Sequence, residues 1–165
     1  CGVGNVTSAA EANIHHDPEA AKVVFESGLP ITMVGLGLTH QAKASPSIVE
    51  EIKNLDNKIS GLVVDILDFF RSRYKEVFDF DDPPLHDVCA VAKIINPEVF
   101  TTQKMRVDIE VNSDLTRGRT VCDLYDCDFY GMDGRFGKRE KNVKVGKDLN
   151  RDLFWNIVLD SLSKY

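Results

Sequence analysis

The sequence predicts an α/β chain built on an open, mostly parallel but mixed sheet flanked by helices. Three observations carry this reading. A capped helix signal, "DPEAAKVVFESG", runs into a mostly apolar run of strand length, "LPITMVGLGL", and a strand apolar on both faces suits a covered parallel sheet. Helical spacing of apolar residues then dominates the middle of the chain. Towards the end, alternating residues on either side of an Asn-Ser-Asp turn predict a hairpin or strand pair, which makes the sheet mixed.

The first twenty residues hold "GVGNVTSAAEANIHHDP". Their small residues and clustered Asn, Glu and His suit a loop over a sheet edge, where ligand loops of open α/β sheets lie. Asp17 is then placed as an N-cap, Pro18 at the first helical position and Gly28 at the stop. Pro30 enters the apolar run, read as a buried parallel strand. Ser45 and Pro46 repeat the helix start, and a second helix is predicted from near Ser60, with Leu62, Val63, Ile66, Leu67, Phe70 and Tyr74 forming one buried stripe. After the acidic loop "FDFDDPP", Val88 to Ile95 fits a helix halted by Asn96 and Pro97. In "KMRVDIEVNSDLTRGRTVCDLY", Val107, Ile109 and Val111 share one face. "DCDFYGMDGRFGKREKN" reads as a loop and "VKVG" as a short strand. Asn150 caps a terminal helix with Phe154, Ile157, Val158 and Leu162 at helical spacing.

Composition restricts the function classes. With 43% hydrophobic residues in 165 the chain can bury one core, and no composition break divides it, so it reads as one domain or part of one. A net charge of −6 lacks the basic stripe that phosphate backbones require, so neither nucleic acid nor an anionic membrane is expected as a partner. No apolar stretch is long enough to span a bilayer and no basic segment leads into a signal-like run. Cys1, Cys89, Cys122 and Cys127 show no C-x-x-C spacing, which favours a reduced, cytoplasmic setting with Cys89 as a small hydrophobe. Cys1 stands where an initiator Met would, so either residues are missing upstream or the terminus was made by processing.

Several residues carry potential chemistry, each beside a plainer account. Asp87, ahead of an apolar run, is either an N-cap or a hard oxygen ligand for a divalent cation, with His86 beside it able to move a proton near neutral pH. Asn5, Glu11 and Asn13 offer the amides and carboxylate that a polyhydroxylated ligand needs, or are simply solvated. His15 and His16 lack zinc-spaced partners and read as surface or packing residues. His40 either lines a crevice or is structural. "DFDD" lacks the alternating calcium-loop spacing, and "GVG" and "GLG" lack the dinucleotide fingerprint.

Gly4 and Asn5, "AEANIHHDPEAA" from Ala10, "LTHQ" from Leu38, "PLHDVCAVA" from Pro84 and "LTRGRTVCD" from Leu115, taken in order, resemble the inosine-uridine preferring nucleoside hydrolases. The resemblance covers nearly the whole chain, residues 1–165, but only the C-terminal half of that family's domain. The family's opening aspartate cluster, D-x-D-x-x-x-D-D, is not in this sequence. The resemblance implies a nucleoside hydrolase-like sheet, here an incomplete C-terminal portion, and an enzyme that hydrolyses the N-glycosidic bond of ribonucleosides to ribose and free base with calcium.

Residue by residue, it implies His86 as proton donor to the leaving base and Asp87 as a calcium ligand. Asn5, Glu11 and Asn13 become ribose contacts and Tyr74 a substrate contact. Ala12, Gly37 and Val88 depart from the family's usual aromatic, Asp and Pro. With one aspartate the calcium site is expected to be incomplete, since calcium takes six to eight oxygens. The isolated chain is then expected to be inactive, and the full-length parent an active homo-oligomer in nucleoside salvage. Two alternatives stand beside this. One is a non-catalytic fragment that binds ribose, a nucleoside or a partner subunit; the other is a hydrolase using Cys1 as an N-terminal nucleophile.

Overall fold

The computed structural model describes residue 2 and residues 4–125 and 140–165. Cys1, and most of the loop expected from Asp126 onward, lie outside the described residues. The chain forms two units, Cys1–Gly37 with Thr102–Lys147, and Leu38–Thr101 with Asp148–Tyr165.

The first unit is organised by strands. The expected Asp17 cap accepts from the Ala20 N–H and starts α2 (Pro18–Glu26). β1 (Ile31–Met33) follows, and it runs parallel to β5 (Val143–Leu149) with Ile31 opposite Val143. Together with β2 (Phe100–Met105) they form a sheet in the order β1-β5-β2. β3 (Val107–Ile109) and β4 (Thr120–Cys122) form the predicted hairpin, antiparallel with Val107 opposite Cys122. The parallel β1–β5 pair lies in the three-stranded sheet and the antiparallel β3–β4 pair in a separate two-stranded one, giving a mixed, open α/β arrangement with flanking helices. Phe25 of α2 packs with Met105, Val107, Ile109, Val143 and Val145, all buried. Asn142 ties this core: its amide donates to the Phe25 and Val107 carbonyls and its oxygen accepts from the Val107 N–H.

Three expectations for this unit need correction. The apolar run "LPITMVGLGL" is a strand for three residues only, and Thr32 is exposed, so β1, at the edge of its sheet, is not covered on both faces. The run then turns into α3 (Leu36–Thr39). The opening segment is no simple loop, since α1 (Ala12–His16) forms inside it. Cys122 is disulfide-bonded, against the reduced set expected from cysteine spacing.

The second unit is helical. Ser45 caps α4 (Pro46–Lys53), and Asn57 with Ser60 forms a capping box that opens α5 (Lys58–Phe78). α6 (His86–Ile95) and α7 (Arg151–Leu162) complete it, α7 being capped by Asn150 as expected. Helix α4 packs on α5 and α7, and α6 on α7. The Asn57 amide also donates to the Leu162 carbonyl, tying the start of α5 to the end of α7. Ile52, Leu67, Cys89 and Phe154 are buried. The α5 stripe, however, is buried only at Leu67, while Leu62, Ile66 and Phe70 remain exposed. Among the described residues no helix is long and apolar enough to cross a membrane.

Candidate active site

The second unit gathers hydroxyl and imidazole groups around the start of α6. Asp79, in the left-handed region at φ 54, ends α5 and turns the chain so that the Phe80 N–H donates to the Tyr74 carbonyl. Pro83 and Pro84 then carry the chain past the 42–44 segment, where the Ala44 N–H donates to the Pro83 carbonyl and the Leu85 N–H to the Ala42 carbonyl. With Leu85 fixed in extended backbone, the helix starts at His86.

His86 is held at both ring nitrogens. Thr39 Oγ1 lies 2.7 Å from Nδ1 and the Tyr74 hydroxyl 2.6 Å from Nε2. A neutral imidazole carries one N–H. One hydroxyl therefore accepts from that N–H and the other donates its own proton to the free nitrogen. Burial lowers the pKa of His86, partly offset by the charge of Asp87, and burial raises that of Tyr74, so both groups favour their neutral forms. His40 stacks edge-on against Phe80 at 5.3 Å and lies 5.8 Å from the His86 ring. The Lys43 ammonium sits 4.7 Å over the other partner, the Phe80 ring.

Asp87 is exposed in the first turn of α6, one residue past His86. The N-cap account of this residue is corrected: the cap position is Leu85, with no side-chain cap bond. Asp87 instead places its charge near the positive end of the helix. Cys89, one turn along, is buried and free, and burial pushes its thiol up to about 12, which makes it the inert packing residue expected.

Asn5, Glu11 and Asn13 sit together in the first unit, on and before α1. The loop that carries Asn5 is tightly wound: the Asn5 N–H donates to the Ala10 carbonyl, and Thr7 Oγ1 accepts from the Ala9 and Ala10 N–H groups. A Cβ on Gly4 would lie 2.1 Å from the Thr7 carbonyl oxygen, so only glycine fits there. Asn5 Oδ1 accepts from the Ala12 N–H at 2.8 Å, and Glu11 Oε1 from the Leu36 N–H at 3.1 Å. Asn13 is exposed on α1. The structure therefore joins Tyr74 directly to His86 in one unit, and sets Asn5, Glu11 and Asn13 around one short helix in the other.

Sequence reasoning missed Thr39 and Phe80 as members of the His86 cluster. Thr39 adjoins His40 in the quoted "LTHQ", which was the available signal; nothing in the acidic loop pointed to Phe80. Calcium does not fit the residues present by themselves. Asp87 offers one carboxylate, and among the described residues no group of three or more His, Cys, Asp and Glu could hold a metal ion.

Two predictions arise here. A Cβ on Gly35 would meet Glu11 Oε1 at 3.0 Å, so Gly35→Ala should displace the carboxylate and cost about 1 kcal/mol, the value of one hydrogen bond. Amide exchange at Leu36 would report it, and unchanged protection would mean that Glu11 shifts freely. The second concerns pH. Burial, then His86 and Lys43, hold His40 below its ordinary 6.5. The unfolded chain therefore binds that proton first, and stability should fall as pH drops from about 6.5 towards the folded value. His86, lowered likewise by burial, adds to the same window, so His40→Gln should reduce the slope of the urea midpoints there without abolishing it; an equal slope in the variant would refute it. Glu19 and Glu110, lowered by Arg117 and by backbone N–H groups respectively, act only below their ordinary 4.5, and do not confuse the reading.

Comparison with known proteins agrees with the residue pattern. The family model for the inosine-uridine preferring nucleoside hydrolases matches residues 1–156. A probable ribonucleoside hydrolase of Dictyostelium discoideum is 44% identical over 96% of this chain and 46% of its own length. The pyrimidine-specific ribonucleoside hydrolase RihA of Shewanella woodyi is 41% identical over 99% of this chain and 50% of its own. Among solved structures, a plant nucleoside hydrolase, PpNRh1, superposes with a TM-score of 0.86 at 26% identity, over 99% of this chain and 51% of that one. A purine-preferring ribonucleoside hydrolase from Gardnerella vaginalis gives 0.80 at 29% identity, over 98% and 48%. The chain spans about half the length of the curated relatives it matches. On the match across nearly its whole length, this chain belongs to the inosine-uridine preferring nucleoside hydrolase family.

Proposed function

We propose that residues 1–165 supply the C-terminal half of a ribonucleoside N-glycosidase domain, which adds water across the bond between ribose and base and releases both. The observation that carries this is the His86 imidazole, clamped between two hydroxyls at a helix start and beside an exposed carboxylate. Departure of a nucleobase needs a proton at the base and restraint of the ribose as its ring becomes oxocarbenium-like. His86 is the proton donor in this reading. The proton leaves from the Nε2 side, where the Tyr74 hydroxyl now lies, so Tyr74 meets the substrate at the same place.

Asn5, Glu11 and Asn13 hold ribose hydroxyls. Asn5 and Glu11 each commit one oxygen to a backbone N–H, which orients the Asn5 amide and leaves the second Glu11 oxygen for a ligand. Asp87 contributes one ligand to a calcium site whose other ligands lie outside this chain. Homo-oligomerisation belongs to the completed domain. The sister proteins named for pyrimidine nucleosides support uridine as the first substrate to try, with inosine beside it.

The test is a chimera in which residues 1–165 replace the matched segment of the Dictyostelium relative. Ribose release from uridine or inosine by the chimera, and none by the 165-residue chain alone, is the expected result. Turnover by the isolated chain would show that the half-domain reading is wrong, and a folded chimera without turnover would remove the catalytic one.

A further inference from the structure

We propose that an apolar groove on the second unit is the docking surface for the polypeptide that makes up the unmatched half of the relatives. The groove measures about 380 Å³ and runs between α5, α6 and α7. Ile66 and Phe70 line it from α5, Val91 and Ile95 from α6, Ile157 and Val158 from α7.

The helix α6 gives the clearest argument. Cys89 and Ala92 are buried on one side, while Val91 and Ile95, on the other, are 56% and 61% exposed. A helix that keeps apolar residues on an exposed face as well as on its buried one has more apolar surface than this unit covers, whereas a surface helix turns its polar residues to water. The α5 stripe makes the same case independently. Its spacing is that of a core-facing helix, yet Ile66 and Phe70 stand open to solvent in this chain. An apolar patch spread over three helices is an interaction surface.

What covers it is indicated by length. The two relatives match this chain over nearly all of it, yet carry about as much chain again, so a body of comparable size accompanies the matched segment in both. Docking there would also place the added half beside the helix that begins with His86 and Asp87. The inference rests on the family reading but not on catalysis.

A cleavable fusion tests it. The unmatched half of the Dictyostelium relative is placed ahead of residue 1 with a protease site at the junction. After cleavage the two pieces should elute together in gel filtration. Val91→Glu with Ile95→Glu should weaken the association at least tenfold and let them separate, because a charge would be desolvated in an apolar interface. Val23→Glu, at a 70% exposed position on α2, should leave the pair intact. Circular dichroism of the 165-residue double variant, with unchanged helix content, shows that unfolding is not the cause.

Wild-type pieces that separate, or variant pieces that stay together, overturn the proposal. So does self-association of the 165-residue chain abolished by the same two substitutions, which would make a second copy the occupant. Co-elution is read without nucleoside. Pieces that stay together but release no ribose would therefore sink the catalytic reading and leave this one standing.

Discussion

His86→Ala in the completed domain should slow ribose release about 10²- to 10⁴-fold, the usual worth of a positioned general acid. The loss should fall on kcat more than on KM, since a proton is delivered as the base departs and not when the nucleoside binds. Thr39→Val grades the same expectation. It removes the hydroxyl 2.7 Å from Nδ1 and leaves Nε2 untouched, so the ring loses its tautomeric anchor but keeps its reactive side. A loss near tenfold, the equivalent of about 1.4 kcal/mol from one hydrogen bond, is expected.

Stability must be followed in both variants, because removing His86 strands the Thr39 hydroxyl, which is 2% exposed. Rates are then compared at temperatures where each variant is folded. A His86→Ala enzyme with an unchanged rate would take His86 out of the chemistry and leave it a bridge between two hydroxyls. A Thr39→Val loss equal to that of His86→Ala would instead mean that the imidazole works only when anchored.

The parts of this fold that could be read from sequence are those fixed locally. Asp17, Ser45 and Asn150 each cap the helix they were expected to cap, because an N-cap depends on a side chain and backbone N–H groups two or three residues away. The turn after Val111 gave its hairpin for the same reason. Failures came where a distant partner decided. "LPITMVGLGL" has strand composition throughout, but the Leu36 N–H is taken by Glu11, twenty-five residues earlier, and the chain turns helical there. Asp87 looks like a cap because it precedes an apolar run; the Leu85 N–H is instead held by Ala42, and the helix starts two residues earlier than a cap at Asp87 would allow.

The candidate site was legible in kind and not in arrangement. His86, Asp87 and the Asn-Glu-Asn group carry chemistry that can be recognised singly. That Thr39 and Tyr74 converge on one imidazole depends on the left-handed turn at Asp79 and the Pro83–Pro84 segment, which no periodicity announces. The α5 stripe is the instructive case of the opposite kind. Its spacing predicts one buried face, and burial within this chain reaches only Leu67; the rest is the face proposed above as a docking surface.

Phe154→Ala should be the most damaging single truncation in the second unit, at about 3–5 kcal/mol. Phe154 is 0% exposed on α7 and meets Trp155 edge-on at 5.1 Å between ring centroids. Helix α7 packs on both α4 and α6, and Phe154 is its most buried side chain, so the truncation weakens the helix that joins the others of this unit. Against the 5–15 kcal/mol typical of a whole domain, such a loss leaves the unit barely folded.

Phe154→Leu separates cavity from shape: keeping most of the volume should hold the cost to about 1.5 kcal/mol. The chain's single tryptophan is Trp155, so its emission follows this unit directly in urea titrations. Trp155 Nε1 is buried without a partner, and water entering beside it should shift the emission to the red before global unfolding. Ile94→Ala, at an 84% exposed position, serves as the control and should change stability by less than about 0.5 kcal/mol. If Phe154→Ala costs no more than that control, the helices close over the gap, and the packing at this junction is far softer than its burial implies.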